Sequence, residues 1–273
     1  METILDPLKS AHRAMWALGD YDRVSTEIVG PLGPVLVEAA GVRPGDDVLD
    51  VAAGSGNASL PAARAGGRVV ATDLTPELLT TGRLRAEKEG LTIDWREADA
   101  ERLGDAGIAT ASFDVVMSCV GVMFAPFHQP VADELLRVTR PGGRIALINW
   151  TPEGFIGQLF ATLKQFVAPP PPGASAGPLW GDEVHVRDLL GPGSTDLTVE
   201  KRALRVEAYD SGASFRRYFA THYGPTIAAY RRHAADGART AELDAAIDGL
   251  GDRFGASTGV MEWEYLLVTA TRA

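Results

Sequence analysis

Residues 48–57, with the sequence VLDVAAGSGN, join a short apolar strand directly to a glycine turn and the start of a helix. In open parallel sheets, ligands bind beyond the carboxyl ends of the strands, and the first strand-to-helix turn is the usual binding loop. Gly54 and Gly56 can adopt positive φ and leave the backbone open to close approach. The stretch therefore predicts a ligand-binding turn, with a plain tight turn as the alternative.

Around this stretch, short β-rich segments alternate with helical segments as far as residue 150. Such alternation, with buried Val, Ile and Leu, is typical of an α/β protein with a doubly wound parallel sheet. Upstream, we predict one helix over 6–18 and a second that Ser25-Thr26 cap and that runs to Ala40. The predicted core strands are 47–51, 68–72, 92–96, 113–118 and 144–150, and the predicted core helices are 57–65, 76–89 and 129–139.

Beyond residue 150, a helical segment at 158–167 and a proline-rich connector at 168–178 precede two further predicted strands, at 197–206 and 263–271. Two lone strands need an existing sheet edge with which to pair. We therefore predict a single domain with a helical insertion that covers the functional edge of the sheet. Its parts are N-terminal helices 1–40, a binding core 41–150, a linker with a late strand 151–210, a helical cap 211–255 and a final strand 256–273.

The composition restricts the possible partners of the chain. Its 273 residues carry a net charge of −10, which disfavours nucleic acid and anionic lipid. Cys119 is the one cysteine, which excludes an internal disulfide framework and a cysteine-built zinc site. Because the sequence has neither a membrane-length apolar run nor a signal-peptide pattern, we expect a cytoplasmic protein with no membrane partner.

Two acids follow the next predicted strands. Asp73 can accept both hydroxyls of a ribose that lies across the first strand, or it can cap the following helix, although Thr75 can supply that cap. Asp99 can accept from an exocyclic adenine amine, or it can be a solvated turn acid. The dinucleotide motif lacks its third glycine, because Ser59 stands at that position. In series with the glycine turn, the two acids favour a ligand that contains ribose and adenine.

Five motifs recur along the predicted core: D-x-A-x-G-x-G at 50–56, Asp73, the pair Asp99-Ala100, FDVV at 113–116 and LRVTRPGGR at 136–144. In this series the core resembles class I S-adenosylmethionine-dependent methyltransferases of the small-molecule branch, most closely the ubiquinone/menaquinone-biosynthesis-type methyltransferase core. The resemblance covers residues 42–150. Ala52 departs from the family, which more often has glycine there, and is expected to narrow the turn slightly.

The resemblance implies a Rossmann-like sheet of seven strands, mostly parallel with an antiparallel last strand, and S-adenosylmethionine as the cofactor. This cofactor has no pyrophosphate, which agrees with the missing third glycine. The family places the glycine turn at the methionine end, Asp73 at the ribose, Asp99 with Ala100 at the adenine, and Ser118 beside the sulfonium. The implied cofactor-binding residues are Asp50, Ala53, Gly54, Gly56, Asp73, Leu74, Asp99, Ala100 and Ser118.

Methyl transfer from a sulfonium is an in-line displacement, in which positioning and water exclusion supply much of the catalysis. An amine or an ionised oxygen needs no base, whereas a neutral phenol would benefit from one. The candidate catalytic residues are His128 after the fourth strand, His222 in the cap and Tyr21 near the N-terminus. Each has a structural alternative as a packed or surface residue, and His12 is expected at the surface. No metal site is predicted.

Aromatic residues recur at roughly helical spacing in the predicted cap, at positions 215, 218, 219, 223 and 230. An aromatic lid suits a hydrophobic or planar small molecule, although such rings also serve to pack a cap onto a sheet. We therefore expect methyl transfer to a small hydrophobic or aromatic metabolite, in secondary metabolism. A nucleotide-dependent oxidoreductase and a non-catalytic cofactor-binding or regulatory module are the alternatives, and the oligomeric state is left open.

Overall fold

The computed structural model describes residues 6–273 and arranges seven strands in one sheet. The strands are β1 Asp47–Val51, β2 Arg68–Asp73, β3 Ile93–Glu97, β4 Phe113–Cys119, β5 Thr139–Trp150, β6 Ser194–Val206 and β7 Met261–Arg272. Their spatial order is β3-β2-β1-β4-β5-β7-β6. Strands β1 to β5 are parallel, and β7 runs antiparallel to both of its neighbours. The predicted α/β sheet of seven strands with an antiparallel last strand is confirmed.

Helices lie between and beside these strands. They are α1 Pro7–Trp16, α2 Tyr21–Glu27, α3 Leu32–Ala40, α4 Ser59–Arg64, α5 Pro76–Lys88, α6 His128–Val138, α7 Phe155–Leu163, α8 Glu183–Leu190, α9 Gly212–His222, α10 Gly224–Arg232 and α11 Gly237–Arg253. The three core helices predicted from the sequence correspond to α4, α5 and α6. Helix α8 was not predicted, because its eight residues are too short for a clear apolar period.

The order of the strands reverses between β1 and β4. The chain adds β2 and β3 on one side of β1, then returns to place β4 and β5 on its other side. Both central strands are buried, with Val48, Leu49, Val115 and Val116 all 0% exposed, so the sheet is covered on both faces here. A reversal of this kind opens a crevice at the carboxyl ends of the strands.

The N-terminal segment differs from the prediction of a second helix capped by Ser25-Thr26. That segment is split into α2 and α3, because Pro31 stands at the start of α3 and cannot continue a preceding helix. Asp20 caps α2 with its side chain. Ser25 is instead buried inside α2, and its hydroxyl shares a 3.0 Å hydrogen bond with the hydroxyl of Ser55 in the glycine turn.

The C-terminal part supplies the sheet edge and three successive helices. Strands β6 and β7 confirm the two late strands predicted from the sequence, and α9, α10 and α11 lie within residues 211–255. Helix α11 packs against α9 and α7, and α10 contacts α1 from the other end of the chain.

Among residues 6–273, no helix combines the length and the apolar character that a membrane crossing requires.

Candidate active site

A cavity opens at the carboxyl ends of the central strands, where the strand order reverses. It encloses about 850 Å³, including the space at its open mouth. One wall comes from the glycine turn, the end of β2 and the residues that follow β3 and β4; α1 and α2 supply the opposite wall. The sequence therefore predicted the edge at which the site lies.

Gly54 and Asp73 form the centre of the sheet-side wall. The Gly54 N–H donates to Asp73 Oδ2 at 2.8 Å, and the Thr75 N–H donates to Oδ1 at 2.8 Å. Gly54 has φ +56°, and a Cβ added there would lie 3.6 Å from Tyr21 Cε1. Burial raises the pKa of Asp73, although the backbone N–H donors oppose this shift. The carboxylate is thus held rigidly by the turn and by the start of α5, with lone pairs left for ligand hydroxyls.

Gly56 has a packing role and does not line the cavity, contrary to the expectation from the family. Its φ is +90°, and an added Cβ would lie 2.4 Å from Leu60 Cδ1 and 2.7 Å from Trp95 Cη2. Only glycine allows α4 and Trp95 to approach the turn so closely. Ala53, Leu74 and Ala100, by contrast, do line the cavity.

Asp99 lines the far end of the cavity beside a buried lysine. Lys9 Nζ lies 2.9 Å from Asp99 Oδ1 and 2.7 Å from Glu101 Oε2, and Lys9 is 5% exposed. Asp99 Oδ2 is buried and accepts no hydrogen bond from residues 6–273, and Arg102 Nη2 forms a longer ion pair with it at 3.6 Å. A buried acceptor without a close donor is costly, so this oxygen is suited to a donor on a ligand, such as the adenine amino group. The residues present therefore fit the adenosine part of the cofactor.

Asp50, predicted to bind the cofactor, lies beneath the turn and is not among the residues that line the cavity. It is 1% exposed, and Ser59 Oγ at the start of α4 donates to its Oδ2 at 2.5 Å. Burial raises the pKa of Asp50 to about 7; the Ser59 hydrogen bond opposes the shift, and the nearby Asp73 charge adds to it. Asp50 therefore ties β1 to the start of α4.

Ser118 is also a support residue, contrary to its predicted position beside the sulfonium. It is fully buried, its Oγ donates to the Val51 carbonyl at 2.7 Å, and it accepts from the Val122 N–H at 3.1 Å. These bonds join the end of β4 to the end of β1. The cavity is lined instead by Cys119 and Val120, which directly follow Ser118.

Backbone strain marks the ends of the two central strands. Ala52 directly follows β1 with φ +55°, and Val120 directly follows β4 with φ +54°. Positive φ is uncommon outside glycine and is especially unfavourable for a β-branched residue. Both residues line the cavity. The sequence indicated Ala52 through its departure from the family, but no pattern pointed to Val120.

Two of the three candidate bases lie away from the cavity. His128 begins α6, is 3% exposed, and its Nδ1 lies 2.8 Å from Nε2 of His185. Burial, with His185 beside it, lowers the pKa of His128 to about 4. His222 ends α9, where its ring packs 4.7 Å from the ring of Tyr218. Neither histidine lines the cavity, so the structure does not bring these two candidate bases together with Tyr21.

Tyr21 does line the cavity. Lys9 and Val120, which the sequence did not single out as site residues, line it as well. Burial raises the pKa of the Tyr21 hydroxyl, with Cys119 and Asp73 adding to the shift, so the phenol stays protonated and can act as a donor. Its ring centroid lies 5.4 Å from that of Trp16 and 6.3 Å from that of Tyr223. His12, expected at the surface, also lines the cavity.

Some relatives are similar to this chain over nearly its full length, and others over less than half of it. An uncharacterized protein of Mycobacterium tuberculosis is 50% identical over 269 residues, covering 97% of this chain and 95% of that protein. Nocamycin O-methyltransferase of Saccharothrix syringae is 33% identical over 138 residues, or 49% of this chain and 48% of that protein. Demethylmenaquinone methyltransferase of Renibacterium salmoninarum is 38% identical over 117 residues, or 43% of this chain and 46% of that protein.

Solved structures share the fold. A putative methyltransferase from Bacillus halodurans superposes with a TM-score of 0.57 at 19% identity, covering 87% of this chain and 96% of the other. Geranyl diphosphate methyltransferase in complex with S-adenosylmethionine gives a TM-score of 0.53 at 18% identity, covering 89% and 85%. A family model described as a methyltransferase domain matches residues 49–147, which hold the glycine turn and both cavity acids. The match to this family model and to named methyltransferases shows that the chain belongs to the class I S-adenosylmethionine-dependent methyltransferases.

Proposed function

We propose that this S-adenosylmethionine-dependent methyltransferase acts on a small apolar or aromatic metabolite, by in-line displacement. The observation that carries the proposal is the polarity of the cavity. Lys9, Asp73 and Asp99 line the cavity together with the aromatic rings of Trp16, Tyr21 and Phe124. A lining that combines charged and aromatic side chains suits a polar nucleoside together with an apolar acceptor.

The residues fit specific parts of the cofactor. Asp73 is proposed to accept from the ribose hydroxyls, Asp99 Oδ2 from the adenine amino group, and the turn at Gly54 to hold the methionine portion. When bound, the cofactor supplies a methyl group on a sulfonium, whose positive charge is attracted to aromatic ring faces. Tyr21 packs over Gly54 and is therefore proposed to border that charge.

This chain contributes chiefly by positioning. Tyr21 keeps its proton at neutral pH, and His128 and His222 lie outside the cavity. Among the described residues, His12 is the histidine that lines the cavity, and burial together with the Lys9 charge lowers its pKa. Holding the acceptor in line with the methyl group and excluding water can supply about 7–11 kcal/mol of a barrier. An acceptor whose nucleophilic atom needs no base suits this arrangement. The net charge of −10 on the chain supports a small-molecule acceptor over a nucleic acid, because it would repel a polyanion.

Two measurements test the proposal. Calorimetric titration with S-adenosylmethionine should show binding to one site, and titration with NADPH should show none, which separates the methyltransferase from an oxidoreductase. A metabolite extract incubated with the cofactor-loaded protein should then yield a small apolar product heavier by one methylene group. Binding of NADPH in place of S-adenosylmethionine, or methylation of nucleic acid alone, would reject the proposal.

A further inference from the structure

One face of helix α1 is turned towards the cavity. Lys9, His12 and Trp16 are spaced by three and four residues, so their side chains lie on the same face of the helix, and all three line the cavity. The separation between Lys9 and Trp16 corresponds to about 10 Å along the helix axis. Helix α1 therefore follows the cavity over this distance, on the side opposite the sheet.

The outer two residues of this face mark the ends of the span. Lys9 Nζ lies 2.9 Å from Asp99 Oδ1, at the end of the cavity that is proposed to hold the adenine. The ring centroid of Trp16 lies 5.4 Å from that of Tyr21, which is proposed to border the sulfonium. His12 lies between these ends, one helical turn from Lys9.

The charges around His12 place it nearer to the adenine end. Burial and the Lys9 charge lower the pKa of its imidazole, while the charges of Glu101 and Asp99 oppose the shift. The ring is therefore mostly neutral at pH 7. No hydrogen bond from residues 6–273 contributes to the shift. A neutral imidazole has one donor and one acceptor nitrogen, and both are available to a ligand in the cavity.

We propose that His12 is a further cofactor-binding residue, which contacts the adenine ring from the side of α1. The proposal rests on the proposed function, because it takes Asp99 as the acceptor for the adenine amino group. Adenine carries both a donor amino group and acceptor ring nitrogens, so it can pair with either nitrogen of the imidazole. The methionine carboxylate of the cofactor is the competing contact, since an imidazole can also donate to a carboxylate.

Two ligands that share the adenosine distinguish these contacts. S-adenosylhomocysteine carries the amino acid portion, whereas 5′-methylthioadenosine lacks its amino and carboxylate groups. Calorimetry measures the affinity of both ligands for the wild type and for His12→Ala. We expect His12→Ala to weaken both ligands by a similar factor, about fivefold, because each loses the same hydrogen bond to the purine.

Arg13→Ala is the matched control on the same helix. Arg13 pairs with Glu97 through partly exposed side chains and does not line the cavity, so this variant should leave both affinities unchanged. A loss for S-adenosylhomocysteine alone in His12→Ala would place the imidazole at the methionine end and overturn the adenine contact. Unchanged affinities for both ligands would overturn any contact of His12 with the cofactor.

Nuclear magnetic resonance of the wild type with labelled histidine gives a second test, which does not depend on the stability of His12→Ala. The chain has five histidines, and His12→Gln identifies the His12 signal by its loss. Saturation with 5′-methylthioadenosine should shift this signal through the ring current of the purine. The signal of His233, whose Nε2 lies 2.9 Å from the Phe166 carbonyl outside the cavity, should not shift. An unshifted His12 signal would overturn the proposal.

The outcomes separate this inference from the proposed function. If the wild type binds S-adenosylhomocysteine and His12→Ala binds it equally well, the inference on His12 fails and the proposed cofactor site stands. If the folded wild type binds neither ligand, the proposed cofactor site itself fails, and the role of His12 fails with it.

Discussion

At the scale of single residues, the site depends on a few side chains that the backbone holds in place. Asp73 receives one N–H from Gly54 and another from Thr75, each at 2.8 Å, so its carboxylate is oriented before any ligand arrives. Ligand hydroxyls that meet a fixed carboxylate lose less affinity to the ordering of the site than hydroxyls that meet a mobile one. Asp73 is therefore the residue whose removal should affect cofactor affinity most directly.

Asp73→Ala should weaken the binding of S-adenosylmethionine by more than about 1 kcal/mol, because it removes a charge-assisted acceptor. Calorimetry measures the change. Asp105→Ala is the control, since that side chain is 70% exposed and lies outside the cavity, and it should leave the affinity unchanged. Equal affinities of wild type and Asp73→Ala would refute the ribose role.

Ala52→Gly should raise the free energy of unfolding by about 1 kcal/mol, because glycine adopts positive φ without the steric cost that alanine bears. Denaturant unfolding measures the gain. Ala111→Gly is a matched variant, since Ala111 has φ +50° away from the cavity, and it should give a similar gain. A loss of stability in both variants would show that the backbone is not strained at these positions.

At the scale of elements, α1 serves as a wall of the cofactor cavity because ion pairs fasten it to the residues after β3. Lys9 is buried between Asp99 and Glu101, whereas Arg13 pairs with Glu97 at 2.7 Å through side chains that are 31% and 45% exposed. The two contacts look alike in geometry, but only the first is withdrawn from water. Their energetic consequences should therefore differ.

Lys9→Met should lower the free energy of unfolding by about 3 kcal/mol, because it leaves Glu101 buried without Lys9 and leaves Asp99 with only the exposed Arg102, at 3.6 Å, as a counter-ion. Arg13→Met, its counterpart on the same helix, should cost less than about 1 kcal/mol. Limited proteolysis should cut within residues 7–20 faster in the first variant than in the second. Equal cleavage rates would mean that the buried contact does not fasten α1.

At the scale of the whole molecule, the contact between His128 and His185 joins α6 to α8 and makes stability depend on pH. The pKa of His128 is about 4 when folded, below its ordinary value of 6.5. Because the pKa of this histidine is lower in the folded state than in the unfolded state, the unfolded state takes up the proton first as the pH falls. The free energy of unfolding is therefore highest above pH 6.5 and decreases as the pH falls from 6.5 towards 4.

The free energy of unfolding should therefore fall by about 3 kcal/mol more in the wild type than in His128→Asn between pH 7 and pH 4. Urea unfolding at a series of pH values measures this difference. His222→Asn should keep the dependence of the wild type, since that histidine lies at the end of α9, away from this contact. Identical pH profiles for the wild type and His128→Asn would contradict the linkage.

The sequence by itself determined the alternation of strands and helices, the antiparallel last strand through the family resemblance, and the edge at which ligands bind. These features follow from local signals. The apolar period, the turn glycines and the acids at strand ends each depend only on residues that are close together in the sequence. Asp73 and Asp99 could be selected in this way because their positions depend only on the ends of β2 and β3.

Only the tertiary structure decided which neighbours of those motifs face the cavity. Asp50 and Gly56 stand within the glycine-turn motif, and Ser118 stands near the end of β4. All three face away from the cavity and contact α4, Trp95 or the end of β1. Lys9 and His12 reach the cavity from a helix far away in sequence. The direction of a side chain depends on what packs against it, and contacts between distant segments leave no periodic trace in the chain.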